Sequence, residues 1–392
     1  MTDFPLRHGI FLAPYHPVEE GPTTWMRNDL DLCRWWDDLG FDEVWVGEHH
    51  SGGYEMISSP ELFIAAAAEI TKRIRFGTGV ITLPYHNPLM VANRITQLDH
   101  MTRGRVMFGF GPGLLVTDAH MLGLHAGQTR DRMIEALEVI LRLLHGETVT
   151  KKTEWFELKD ARVHLLPYTR PIPHLAVASA GTPSGGRAAG KYGLSMLCVA
   201  ASEIGGFDVL GSNWQIANEV AAEYGNTMER GDLRLVAPLH IAETREKARE
   251  NVRFGIERWA KYYDLVAPNP FDTKGRDVVD ILIESKRAVI GTPDDAIAMI
   301  ERLQAKQGAF GAFMAQHVDW ADREQTRKSY ELYARFVMPH FAKTNVNRVE
   351  TLKWMADNDA AFKKERKSAS EAAFVQHEEA KKARAKGSQA AE

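Results

Sequence analysis

Cysteine is nearly absent: the 392 residues contain only Cys33 and Cys198. Two distant thiols exclude a disulfide framework and a thiolate zinc site, and they suit a reducing compartment. Long apolar runs are also missing. Stretches such as 64–68 fall far short of the roughly 20 residues a membrane helix needs, so no membrane span is expected. The formal net charge is only −4, and no basic run marks the part expected to fold, which argues against nucleic acid as a partner. Met1-Thr2-Asp3-Phe4-Pro5 shows no basic segment leading into an apolar core. No secretory signal is therefore expected, and a cytoplasmic location is.

What is present is an ordinary globular balance, 44% hydrophobic and 26% charged. Short β-rich runs over 8–13, 43–48, 74–82, 105–110, 175–179, 194–200, 233–241 and 310–316 alternate with longer amphipathic segments. Those at 25–39, 60–71, 88–101, 129–145, 208–224, 245–264 and 323–341 are expected to be helices. Eight strands separated by helices predict an α/β fold, a closed (β/α)8 TIM barrel with insertions. The run 236–241 lacks apolar/polar alternation, as expected when both faces of a parallel strand are buried. The barrel is expected over 1–345, with an insertion at about 265–290, around Ala267-Pro268-Asn269-Pro270, that suits a lid. Residues 346–392 turn polar and Lys-, Glu- and Ala-rich, predicting a C-terminal tail that is either a solvated helix or a disordered arm.

In such a barrel the residues just past each strand's C-terminal end line the active site. The second strand runs into Glu48-His49-His50. This triplet suits proton transfer, because imidazole changes charge near neutral pH. It also suits packing or orientation. Metal ligation is the weaker reading, since successive strand side chains point to opposite faces, and no metal is expected. The third strand, Gly77-Thr78-Gly79-Val80-Ile81-Thr82-Leu83-Pro84, has interior glycines that suit close approach of a ligand or of another backbone, and equally a turn or packing role. The fourth ends Phe108-Gly109-Phe110-Gly111-Pro112-Gly113, a side-chain-poor turn without the spacing of a dinucleotide fingerprint. After the fifth come Ser179-Ala180-Gly181-Thr182, then Pro183 and Ser184 at a helix start. Backbone N–H groups and hydroxyls there suit a phosphate, or a simple helix cap.

Together these segments resemble the bacterial luciferase-like flavin monooxygenase family over nearly the whole barrel, from Arg7 to His340. Glu48-His49-His50, Gly77 to Pro84, and Leu98-Asp99-His100-Met101-Thr102-Arg103-Gly104-Arg105 carry the resemblance. Stretches 47–53, 59–68, 83–89 and 97–106 are similar to the family's limonene 1,2-monooxygenase-like group. The resemblance implies His49 as the catalytic residue and Gly79-Val80 as a bulge beside the flavin, joined by a non-proline cis peptide. It implies cofactor contacts from Gly111, Ser179, Ala180, Gly181 and Thr182, with Arg130 or Arg132 neutralising the phosphate. Pro112 stands where luciferases carry an arginine, so one phosphate contact of that group is missing. FMN is the expected flavin and FAD the alternative.

The implied chemistry uses reduced flavin from a separate NAD(P)H-dependent flavin reductase, and O2, to oxygenate a small apolar substrate through a flavin C4a-hydroperoxide. Epoxidation of a limonene-like alkene and Baeyer–Villiger oxidation of a cyclic ketone both remain open. Phe11, Trp45, His50, Tyr85 and Phe110 are expected to bind the substrate, with burial in the core as their plainer role. A homodimer is expected. The rivals are a deazaflavin F420-dependent hydride transferase, a non-catalytic flavin-binding barrel and a metal-dependent barrel hydrolase.

Overall fold

Runs dense in Val, Ile, Phe, Met and Ala form the strands, and a computed structural model gives their arrangement. It describes residues 4–13, 15–266, 273 and 275–389, the last five by backbone alone. The strands are β1 (Arg7–Leu12), β2 (Glu43–Val46), β3 (Arg75–Thr82), β4 (Val106–Gly111), β5 (Val149–Lys152) and β6 (Glu157–Ala161). They continue with β7 (His174–Ser179), β8 (Ser195–Cys198), β9 (Arg234–Ile241), β10 (Val289–Gly291) and β11 (Ala312–His317). The ring runs β1-β2-β3-β4-β7-β8-β9-β11 and closes on β1, with every neighbouring pair parallel. This is the expected eight-stranded TIM barrel with surrounding helices.

Side-chain parity separates two cores. Ile10, Val44, Val46, Phe76, Val106, Phe108 and Phe110 pack outward with the helices. Phe11, Trp45, Met107, Ala176, Leu197, Val236 and Met314 fill the interior. Trp45 is fully buried, and a Cβ on Gly77 of the adjacent strand would come within 2.3 Å of its ring. Only glycine leaves room for that indole. Its Nε1 donates to Glu43 at 2.9 Å, and Arg234 reaches across from β9 to grip Glu43 at 2.6 and 3.1 Å. Because β2 and β9 are not neighbours, this buried pair ties opposite walls of the barrel together.

Three departures from the expected elements have physical causes. The polar stretch after the helix Thr129–Leu144 contains the antiparallel hairpin β5–β6, outside the ring. The helix expected over 245–264 is two helices, Arg245–Val252 and Ile256–Val266. Gly255 breaks it, because its N–H donates to Trp320 O at 3.0 Å and a Cβ there would lie 1.9 Å from Asp319 O. Within the expected insertion, Asp277 caps the helix Val278–Glu284, and β10 follows, pairing with the end of β9. Residues 267–272 and 274, where the lid was expected, lie outside the described residues.

Contacts cluster into two units, Met1–Phe341 and Ala342–Glu392. The second consists of the helices Val346–Asp357 and Asp359–Gln389, with Leu352, Trp354 and Phe374 exposed. Over its described residues the tail is thus helical. No helix among the described residues is long and apolar enough to cross a membrane.

Candidate active site

The segment leaving β2 sets out two charged clusters. Glu48 is buried and accepts from Thr82 N–H at 3.1 Å, His50 Nε2 at 3.0 Å and His86 Nε2 at 3.3 Å. Burial alone would raise its pKa, but these donors hold it below the ordinary carboxylate value. The hydrogen bond to Glu48 raises His50 in turn, against the effect of burial. Tyr85 meets the His50 ring edge-on at 5.7 Å, and burial, with Asp118 and Glu48 nearby, pushes its phenol up to about 12.

His49 takes the other direction. Its Nδ1 lies 3.3 Å from Asp118 Oδ2, and its Nε2 3.4 Å from Glu55 Oε2. Burial opposes the charged ring, yet Glu55, Asp118 and Glu48 outweigh it and raise the pKa. Asp118 also accepts from His50 N–H at 3.1 Å and from the Ser51 hydroxyl at 2.5 Å. Those bonds and the charge on His49 bring it below its ordinary value despite burial. The His49 ring is thus flanked by a carboxylate at each nitrogen, an arrangement that favours its protonated form. An imidazole so placed can hold a proton and pass it on. Among the described residues no group of three His, Cys, Asp or Glu is arranged to hold a metal.

The Gly79–Val80 peptide is cis, and the β3–β4 register shifts between Thr78 and Ile81. Gly79 and Val80 are half-exposed between the buried Thr78 and Ile81, so the strand opens at this point. Phe11 closes one side, since a Cβ on Gly79 would sit 2.8 Å from its ring. Gly111 leaves space for Val80, whose Cγ2 would lie 2.6 Å from an added Cβ. The structure thus brings Phe11, Gly79, Val80 and Gly111 together. Two expected substrate residues sit elsewhere. Phe110 faces the outer helices, because inward-facing Gly111 follows it, and Trp45 is sealed in the interior against Glu43 and Gly77.

At the end of β7, Ser179 is buried and Ala180, Gly181 and Thr182 are exposed. The Asn213 amide donates to Ala180 O at 3.1 Å and reaches Ser179 Oγ at 3.5 Å. The helix Ser184–Tyr192 begins without a side-chain cap, and the Thr182 and Ser184 hydroxyls bond each other at 2.9 Å. The simple capping role is therefore not the one these hydroxyls play. Arg130 is exposed, whereas Arg132 lies over the Trp155 ring at 5.4 Å.

Sequence reading missed Asp118, Glu55, His86 and Tyr262. All but Tyr262 follow barrel strands β2, β3 and β4 at the catalytic end, and that placement was the available signal.

Residues 6–312 match the family described as luciferase-like monooxygenase. The chain is 46% identical over 334 residues to limonene 1,2-monooxygenase of Rhodococcus erythropolis, covering 85% of this chain and 86% of that protein. It is 44% identical over 359 residues to 4-hydroxyprotoasukamycin monooxygenase of Streptomyces nodosus subsp. asukaensis, covering 90% and 97%. Its fold matches the FMN complex of the oxygenating constituent of 3,6-diketocamphane monooxygenase from Pseudomonas putida, a type II Baeyer–Villiger monooxygenase. The TM-score is 0.72 at 24% identity, over 86% of this chain and 99% of that one. The chain belongs to the luciferase-like monooxygenase family and is a flavin-dependent monooxygenase.

Proposed function

We propose that the protein receives reduced FMN from a separate NAD(P)H-dependent reductase and inserts one atom of O2 into a small apolar substrate. That substrate is a limonene-like alkene or a cyclic ketone. The observation that carries the reading is the opening of β3 at Gly79–Val80, flanked by Phe11 and Gly111, in a barrel whose β2 loop holds His49 between Asp118 and Glu55. A flat ring system requires such a backbone-lined, side-chain-poor surface. The uncapped first turn of the helix Ser184–Tyr192 fits the flavin phosphate, with hydroxyls from Thr182 and Ser184 beside its N–H groups. Ser179, Ala180 and Gly181 shape that turn, and Arg130 or Arg132 supplies the neutralising charge.

Bound reduced FMN supplies the oxygen activation that no side chain provides. The protein's own part is electrostatic and steric. His49, its pKa raised by Glu55 and Asp118 against burial, offers a transferable proton at the mouth, where developing negative charge is stabilised more strongly than in water. Phe11 and Tyr85 exclude water and offer apolar surface, while Glu48 holds His50 and His86 in place. The protein acts in the cytoplasm as a homodimer in this reading, as expected from sequence.

The test supplies FMNH2, 18O2 and either limonene or a cyclic ketone, and reads the product by mass spectrometry. One 18O per product molecule is expected, with loss of product in His49→Ala. Flavin oxidation that yields only peroxide with both substrate classes overturns the assignment. Oxidation of F420H2 without oxygen incorporation replaces it with hydride transfer.

A further inference from the structure

The chain after His50 does more than leave the site. It turns at Gly52 and Gly53, where φ is +85° and +77°, values that suit glycine. The turn brings the following residues back alongside, so that His49 N–H donates to Ile57 O at 3.1 Å and His16 N–H to Tyr54 O at 2.9 Å. An antiparallel bridge pairs Tyr15 with Glu55. Glu55 consequently returns to the imidazole from which the chain departed six residues earlier.

A third segment completes the arrangement. Tyr262, on the helix Ile256–Val266, donates its hydroxyl to Glu55 Oε1 at 2.9 Å. Its ring packs against Tyr54 at 5.0 Å and Tyr15 at 5.4 Å, and those two rings stack at 4.9 Å, nearly parallel. A Cβ on Gly52 would come within 3.2 Å of the Tyr262 ring, so the turn and the helix are fitted to each other. Burial, reinforced by Glu55, raises the Tyr262 phenol well above its ordinary range. The phenol therefore keeps its proton and donates it to Glu55.

We propose that Glu55 and Tyr262 are a positioning pair for His49, the carboxylate fixing the ring opposite Asp118 and the phenol fixing the carboxylate. The proposal rests on His49 serving the monooxygenase reaction. The groups that face His49 are Glu55, Glu48 and His50 from its own segment, Asp118 from the helix Val116–Met121, and Tyr262 through Glu55. Of these, Glu55 is the only one within reach of Nε2. Asp118 holds Nδ1 whether or not Glu55 is charged. Neutralising Glu55 frees Nε2 and removes half of the charge clamp, while the Tyr262 hydroxyl keeps an amide oxygen to donate to.

The experiment follows the His49 ring by NMR in histidine-labelled protein without flavin, with His49→Gln to identify its signal. The wild type is compared with Glu55→Gln, Glu55→Asp and Tyr262→Phe. The His49 titration midpoint is expected to fall in Glu55→Gln, to return towards the wild type in Glu55→Asp, and to fall less in Tyr262→Phe. An unchanged midpoint in Glu55→Gln overturns the pair. If that variant fails to fold, Tyr262→Phe decides, since it keeps the ring stack and removes only the hydroxyl; no fall there overturns the proposal. A second readout is product formed per flavin oxidised, measured against pH. Its alkaline limb is expected to move to lower pH with the midpoint, with a several-fold loss of coupling above it. Midpoints that move while the limb stays fixed uphold the positioning pair and remove His49 from the reaction. The two readings therefore fail separately.

Discussion

Replacing Asp118 by asparagine is expected to cost about 2–3 kcal/mol of stability near pH 6, a figure set by the bonds it breaks. Asp118 is buried and accepts from His50 N–H, the Ser51 hydroxyl and His49 Nδ1. Each hydrogen bond to a charged group contributes about 1.5–3 kcal/mol. Part of that is recovered, because Ser51 has Thr117 Oγ1 at 2.7 Å as a second partner and the asparagine oxygen can still accept one bond. The helix Val116–Met121 spans only six residues and has no side-chain cap, so Asp118 is its main tie to the β2 loop. Hydrogen exchange over 116–122 should accelerate together with the loss of stability.

The pH dependence distinguishes this electrostatic account from simple packing. The folded-state pKa of Asp118 lies below its ordinary value. Its contribution is therefore complete above about pH 3.9 and fades as the pH falls through the folded value. The pKa of His49 is raised, so its contribution is complete below about pH 6.5 and fades as the pH rises through the folded value. The penalty of Asp118→Asn should be greatest between roughly pH 4 and 6.5 and should shrink on either side. Urea unfolding of both proteins across that range provides the measurement. A penalty that is flat with pH, or one under about 0.5 kcal/mol as for an ordinary surface substitution, would refute the reasoning.

Two further outcomes follow from the barrel interior. Gly109→Ala places a Cβ 2.4 Å from Thr78 O and 2.9 Å from Trp45. Since a backbone oxygen cannot swing aside, a loss of about 2–3 kcal/mol is expected in urea unfolding, and a neutral result would show that β3 and β4 separate freely. Arg234→Met leaves buried Glu43 with Arg7, at 2.8 Å, as its remaining ion pair among the described residues. It should cost about 3–5 kcal/mol, and adding Glu43→Gln should recover much of that in a double-mutant cycle; no recovery would mean that the loss comes from packing rather than charge.

The barrel was legible because each of its eight strands is a compact apolar run followed by a helical period, and both signals are local. Strand parity is local as well, yet it decided Phe110 against the expected role. One position separates Phe110 from Gly111, and that single step moves a side chain from the mouth to the helices. The β5–β6 hairpin escaped because it is solvated and lies outside the ring, with Lys151, Lys152, Glu157 and Lys159 on its strands. In the site, Glu48, His49 and His50 stood out because they are contiguous. Asp118 and Tyr262 reach His49 and Glu55 only after the barrel has closed, across 69 and 207 residues of chain respectively, and nothing near either one announces its partner. Glu55 lies between these cases. It is six residues from His49, and the Gly52-Gly53 pair before it is the mark of a turn able to reverse the chain. A carboxylate following such a turn was therefore readable as a partner for the histidine that precedes it, and the order His49, Gly52-Gly53, Glu55 is the part of the site that sequence reasoning had within reach and left unused.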